Sequence, residues 1–141
     1  MSLSKKEIES LKKEAHKARK VAYAPYSKHC LGADLLTRKG EIIAAGNIEN
    51  SCYALTVCAE RAVFYRAVAA GEVHFKALLI HSDGKELISP CGACRQVIWE
   101  LAGDIEIVMV GTGQKYKSVQ LSDLYPHPYK EKNCHRLKQG V

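Results

Sequence analysis

Three cysteines and one glutamate are the residues best equipped for chemistry. Cys58-Ala59-Glu60 opens one helical pattern, and Pro90-Cys91-Gly92-Ala93-Cys94 opens another. Positions 91 and 94 lie three apart, so both sulfurs fall on one helical face. A helix N-terminus favours negative charge and makes a thiol there easier to ionise. Zinc is the natural occupant of a thiolate-rich site. Three protein ligands leave a fourth position for water, the arrangement of a catalytic zinc. Three thiolates donate more charge than three imidazoles, so the water needs further help. Glu60 can take its proton, and Arg61 or Arg95 could hydrogen-bond a thiolate and withdraw charge. From these residues alone three other readings stay open. Cys91 and Cys94 could be a redox pair. The zinc could be structural, with Cys52 or His81 nearby as a further ligand. The three cysteines could also be plain buried thiols.

The elements that must position these residues follow from periodicity. Ser4 and Glu7 form a capping-box pattern. Ile8, Leu11, Ala15, Ala18 and Ala22 then recur at helical spacing up to a stop at Pro25. Residues 30–37 and 41–46 read as strands joined by the turn at Arg38-Lys39-Gly40. A polar loop over 47–53 follows, then a helix over 58–70 with Gly71 as its natural end. Strands are expected at 75–82, 105–110 and 115–119, a helix at 91–102, and a helical turn at 121–125 halted by Pro126. The order predicts an α/β domain with three α/β/α layers and a mixed central sheet of about five strands. The helix after Cys58 carries a wider apolar stripe than a surface helix needs, so burial against another subunit is expected.

The chain has 141 residues with a formal net charge of +6, and 47% of them are hydrophobic. That suits one globular domain over 1–141, ending in a basic tail at 130–141, and excludes a disordered or collagen-like chain. No apolar run approaches the roughly 18 residues of a membrane span. The first twenty residues are too rich in Lys and Glu for a secretory signal, so a cytoplasmic protein is expected. In that compartment the six cysteines at 30, 52, 58, 91, 94 and 134 are not expected to form disulfides. The basic residues cluster in the first helix and the tail, as solvated faces do, so nucleic acid is not the expected partner.

Cys58-Ala-Glu with Pro90-Cys-x-x-Cys94 fits the zinc nucleobase-deaminase signature in its three-cysteine form. The chain resembles the small homotetrameric cytidine deaminases over roughly residues 8 to 129. The matching stretches are Tyr23-Ala-Pro-Tyr-Ser-Lys28, Gly46-Asn-Ile-Glu-Asn50, Cys58-Ala-Glu-Arg61 and Ser89-Pro-Cys-Gly-Ala-Cys-Arg-Gln-Val97, with 76–80 matching more loosely. Cysteine at 58 separates it from the adenosine, deoxycytidylate and dimeric cytidine deaminases, which typically carry His there.

The resemblance implies one zinc ion per chain on Cys58, Cys91 and Cys94, with Glu60 shuttling protons. It implies hydrolytic deamination of cytidine and deoxycytidine in pyrimidine salvage, by one subunit of a homotetramer with shared sites. Asn47 and Glu49 match ribose-binding positions. Tyr53 and Tyr129 match positions that reach a neighbouring subunit's site. Two residues depart from the family pattern. His29 stands where Phe usually flanks the pyrimidine, which implies an altered substrate preference or a pH-sensitive contact. Asp34 stands where Ala is typical, in an otherwise apolar strand. The alternatives are deamination of a modified cytosine nucleoside such as blasticidin S, an RNA-editing deaminase, and a catalytically silent homologue.

Overall fold

Side chains of the three central strands alternate between two separate apolar clusters, and this alternation sets the layers. In a computed structural model, residues 2–113 and 115–131 are described. β1 (Gly32–Thr37) sends Ala33 and Leu35 to one face and Leu36 to the other. β3 (Phe75–His81) divides Leu78 and Ile80 from Ala77 and Leu79. β4 (Glu106–Val110) divides Ile107 and Met109 from Val108 and Val110. The first face is covered by α2 (Ala59–Ala69), through Val63, Phe64 and Ala67, and by α3 (Gly92–Ala102), through Ile98. The second is covered by α1 (Lys5–Lys20), through Ile8, Leu11 and Ala15. β2 (Ile42–Gly46) and β5 (Tyr116–Gln120) form the edges, in the order β2-β1-β3-β4-β5, and α4 (Leu121–Leu124) follows. Only β3 and β4 pair in parallel, so the chain crosses over between them, and α3 is the crossover. The expected three-layer domain with a mixed five-stranded sheet is the fold found.

Most boundaries fall within one residue of expectation, and two differ by more, each for a tertiary reason. α1 stops at Lys20 rather than near Pro25, because Tyr23 leaves the helix to bridge residues 47–49. Its N–H donates to Asn47 O at 2.9 Å, and its carbonyl accepts from Glu49 N–H at 2.8 Å. β1 begins at Gly32 rather than Cys30, because the amides before it have side-chain partners. Cys30 N–H donates to Asp83 Oδ2 and Leu31 N–H to Asn47 Oδ1. The close docking of α1 requires glycine at two places. A Cβ on Gly32 would lie 2.0 Å from Ala15 O, and one on Gly46 would lie 2.7 Å from Ala18 O.

The wide apolar stripe of α2 is only partly used within the chain. Ala62 and Val68 are half-buried, and Ala69 is exposed. Among the described residues, no helix is long and apolar enough to cross a membrane. Cys30, Cys52, Cys58, Cys91 and Cys94 are free thiols. Residues 132–141 of the basic tail, with Cys134, lie outside the described residues.

Asp34 is the one conflict in the α1 layer. It lies between Ala33 and Leu35, so it faces α1 as Leu36 does, and it is 0% exposed. Among the described residues, neither carboxylate oxygen has a hydrogen-bond partner. Burial pushes its pKa from 3.8 up to about 9, and the Glu14 carboxylate adds repulsion. The Ala15 backbone offsets part of this without reaching hydrogen-bond geometry. A group whose pKa is raised by folding binds its proton more tightly in the folded state. The stability it permits is full below about pH 4 and is lost as pH rises toward 9. Asp34→Ala should therefore stabilise the protein by at least about 2 kcal/mol at pH 8. Urea unfolding at fixed protein concentration should show this gain shrinking steadily toward pH 4. A gain of the same size at pH 5 and pH 8 would refute the assignment.

Candidate active site

Strand register brings the chemistry to one end of the strands. Gly32, which starts β1, pairs with Gly46 at the end of β2 and with His81 at the end of β3. The loop from Asn47 to Cys58 and the loop from Ser82 to Cys91 therefore leave the same end of the sheet. Both α2 and α3 then pack on the same face, so their N-termini converge. Cys58 is the N-cap of α2 and Cys91 the N-cap of α3. Cys91 Sγ accepts from the Cys94 N–H at 3.4 Å and lies 3.1 Å from Cys94 Sγ. All three sulfurs of Cys58, Cys91 and Cys94 lie within 4.8 Å of one another.

These thiols cannot all ionise without a cation. The Cys58 thiol is pulled down to about 5, chiefly by its hydrogen bond with Cys94 and further by the Arg61 guanidinium. The Cys94 thiol is pushed up by Cys58, by burial and by the Glu60 carboxylate. Three soft sulfur donors at helix N-termini, sharing too much negative charge, suit Zn²⁺. Arg61 Nη2 donates to Cys58 Sγ at 3.6 Å and to Thr56 O at 3.3 Å, which places its charge at the cluster. Arg95 does not take that role. Its guanidinium donates to Pro90 O at 2.7 Å, Leu124 O at 2.6 Å and Ser89 Oγ at 3.2 Å, so it ties loops together and leaves the sulfurs alone.

Glu60 is 4% exposed, yet it opens into a cavity of about 160 Å³ shared with Cys58 and Cys91. Burial pushes its pKa up to about 7, with repulsion from Cys58 adding and Arg61 opposing. A carboxyl poised there can both accept and return a proton near neutral pH. Asn47 lines the same cavity, together with Leu31, Thr56, Ile88 and Ser89. Through Thr56 the cavity adjoins a groove of about 380 Å³ bounded by Tyr26, Ser27, Glu49 and Tyr53. Combined, the two spaces reach the size of a small-molecule site, roughly 300–1,000 Å³.

Asn47 and Glu49 are also braces. Asn47 Oδ1 accepts from Leu31 N–H at 2.9 Å, and Nδ2 donates to His29 O at 2.9 Å. Glu49 Oε2 accepts from the Tyr26 and Ser27 amides at 3.0 and 3.2 Å, and Oε1 accepts from Ser27 Oγ. Those bonds, the Ser27 hydroxyl first, hold its pKa below the ordinary carboxylate value. His29 lines neither space; its side chain is 73% exposed, with Nδ1 3.4 Å from Asp83 Oδ2. Tyr53 is 78% exposed on the outer groove, and Tyr129 is 65% exposed and lines neither space. Thr56, Ile88 and Ser89 were not singled out by sequence. Their types are ordinary for loops, and only their nearness to Cys58 and Cys91 in the chain could have pointed to them.

Three sulfurs that could hold a metal ion, beside a buried carboxyl at the end of an α/β/α sheet, suit a metal-assisted hydrolytic site. The family model for the cytidine and deoxycytidylate deaminase zinc-binding region matches residues 5–112. A cytidine deaminase of Sporosarcina psychrophila is 41% identical over 128 residues, covering 90% of this chain and 94% of its own length. The crystal structure of cytidine deaminase from Burkholderia pseudomallei superposes with a TM-score of 0.82 at 37% identity, covering 86% of this chain and 98% of that one. A blasticidin-S deaminase of Bacillus cereus is 33% identical over 111 residues, covering 73% of this chain and 79% of its own. The chain belongs to the cytidine and deoxycytidylate deaminase family.

Arg61 should matter to metal retention. Arg61→Ala leaves the sulfurs in place but removes their neighbouring cation, and loss of such an outer partner weakens metal binding by about 10–100-fold. Zinc content after dialysis against a graded chelator series should fall at lower chelator concentration than in the wild type. Identical retention curves would remove Arg61 from the site.

Proposed function

We propose that this protein hydrolyses cytidine and deoxycytidine to uridine and deoxyuridine with release of ammonia, a step of pyrimidine salvage. The observation that carries the reading is Glu60, a buried carboxyl opening into the same cavity as two sulfurs of the cluster. Zn²⁺ on Cys58, Cys91 and Cys94 would supply the Lewis acidity that makes water a nucleophile at neutral pH. Glu60 takes the proton from that water and returns it to N3 of the pyrimidine as C4 is attacked. The second proton of the attacking water passes through Glu60 to the amino group, the C4–N4 bond breaks and C4=O forms, so one water is consumed for each ammonia released. Asn47 and Glu49, beside the cavity and already braced, offer an amide and a carboxylate to the sugar hydroxyls. His29, next but one to the groove residue Ser27, would flank the base, and Arg61 tempers the sulfur charge.

The protein works as a single deaminase domain in a homotetramer. Two features support that assembly: the half-used apolar stripe of α2, and the outward placement of Tyr129 away from the cavity of its own chain. Free thiols at every described cysteine fit a reducing cytoplasm.

The direct test follows the fall in ultraviolet absorbance as purified protein acts on cytidine, with zinc measured on the same sample. Turnover with about one zinc per chain is expected. Zinc-loaded protein that turns over blasticidin S and neither nucleoside would transfer the assignment to a modified substrate. Glu60→Gln should lower kcat by about 10²–10⁴-fold while zinc content stays unchanged. Loss of zinc from that variant would show Glu60 to be a ligand instead. His29→Phe should change KM for cytidine, because phenyl and imidazole differ in size and in hydrogen-bonding capacity. An unchanged KM in His29→Phe would take His29 out of the substrate contact.

A further inference from the structure

We propose that Gln96 is a positioning residue for substrate binding, acting by clamping the backbone of Tyr129. The inference rests on the proposed role of Tyr129 beside the nucleoside. Gln96 stands on α3, two residues beyond Cys94. Its Nε2 donates to Tyr129 O at 3.1 Å, and its Oε1 accepts from Tyr129 N–H at 3.2 Å. The same Oε1 accepts from the Tyr125 hydroxyl at 2.7 Å. One side-chain amide thus satisfies both backbone polar groups of Tyr129, as a neighbouring strand would, in a segment that has neither helix nor strand.

The preceding residue grips the other end of that segment. Arg95 donates to Leu124 O at 2.6 Å and also to Pro90 O at 2.7 Å, directly before Cys91. Two consecutive α3 residues therefore fix residues 124 and 129 relative to the helix that carries two of the sulfurs. The Tyr129 ring itself is left exposed, its hydroxyl donating to Glu131 Oε2 at 2.7 Å. A backbone held at both polar groups beneath an exposed aromatic ring is an arrangement for presenting that ring at a set position, here toward a second copy of the chain. A neutral amide carries side by side the donor and the acceptor that a backbone C=O and N–H need. Glutamate in its place keeps the shape but loses the donor and sets a carboxylate against the Tyr129 carbonyl.

The test is steady-state kinetics on cytidine with Q96A, Q96E, Y129A and the Q96A/Y129A double variant of the full-length, zinc-loaded protein. Q96A and Y129A should each raise KM by about tenfold, with kcat within about threefold of wild type and zinc content unchanged. Q96E should behave like Q96A, and it carries the test if Q96A folds poorly. The double variant should be no worse than Y129A alone, because both changes remove the same contact. A wild-type KM in Q96A and Q96E beside a raised KM in Y129A would overturn the proposal and leave the role of Tyr129 intact. Multiplying effects in the double variant would overturn it equally. A wild-type KM in Y129A would show that Tyr129 does not meet the nucleoside, and the proposal would fall with that reading.

Discussion

The register of β1 against its two neighbours is the constraint on which the site depends. Because Gly32 lies opposite both Gly46 and His81, the two loops that carry the sulfurs spring from one end of the sheet. A slip of one residue would exchange the two faces of β1, sending Leu35 toward α1 and Asp34 into the α2 and α3 layer. The register is held on the other side by α1, which approaches so closely that Gly32 and Gly46 have no room for a side chain. Metal ligands on one face are thus aligned partly by a helix on the other.

Charge is balanced in layers around the cluster. Two helix N-termini and the Arg61 guanidinium oppose the sulfur charge, while burial and Cys58 together keep the Glu60 carboxyl protonated longer than an exposed one. Farther out, Glu49 and Asn47 spend part of their hydrogen-bonding capacity on the 26–31 segment. The wall that would meet a sugar is therefore held by the same side chains that would touch it. That arrangement favours preorganisation, since little has to be ordered on binding.

Local signals were legible and long-range partners were not. The capping box of Ser4 and Glu7 is present with both of its hydrogen bonds, and Gly71 adopts a φ of 84° just beyond α2. The three sulfurs and Glu60 were readable because their spacing at helix starts carries the chemistry. Local spacing carries α1 too far, because Ala22 keeps helical spacing while its neighbour Tyr23 pairs with a segment more than twenty residues away. Arg95 looked like a partner for sulfur because it adjoins Cys94, yet the carbonyls of Pro90 and Leu124 claim it. Nothing in the sequence around Asp34 says whether a partner awaits it, and the described residues provide no hydrogen-bond partner.

The single parallel pairing in the sheet has a consequence for how the protein is made. Residues 5–81 contain α1, α2 and the three antiparallel strands β2-β1-β3, with Cys58 at the tip of its helix. Cys91 and Cys94 come later in the chain, on the crossover helix α3 between β3 and β4. All three sulfurs can therefore hold an ion only once the crossover has been made. An ion held there would tie α3 to α2 and couple the finished fold to the cell's supply of metal.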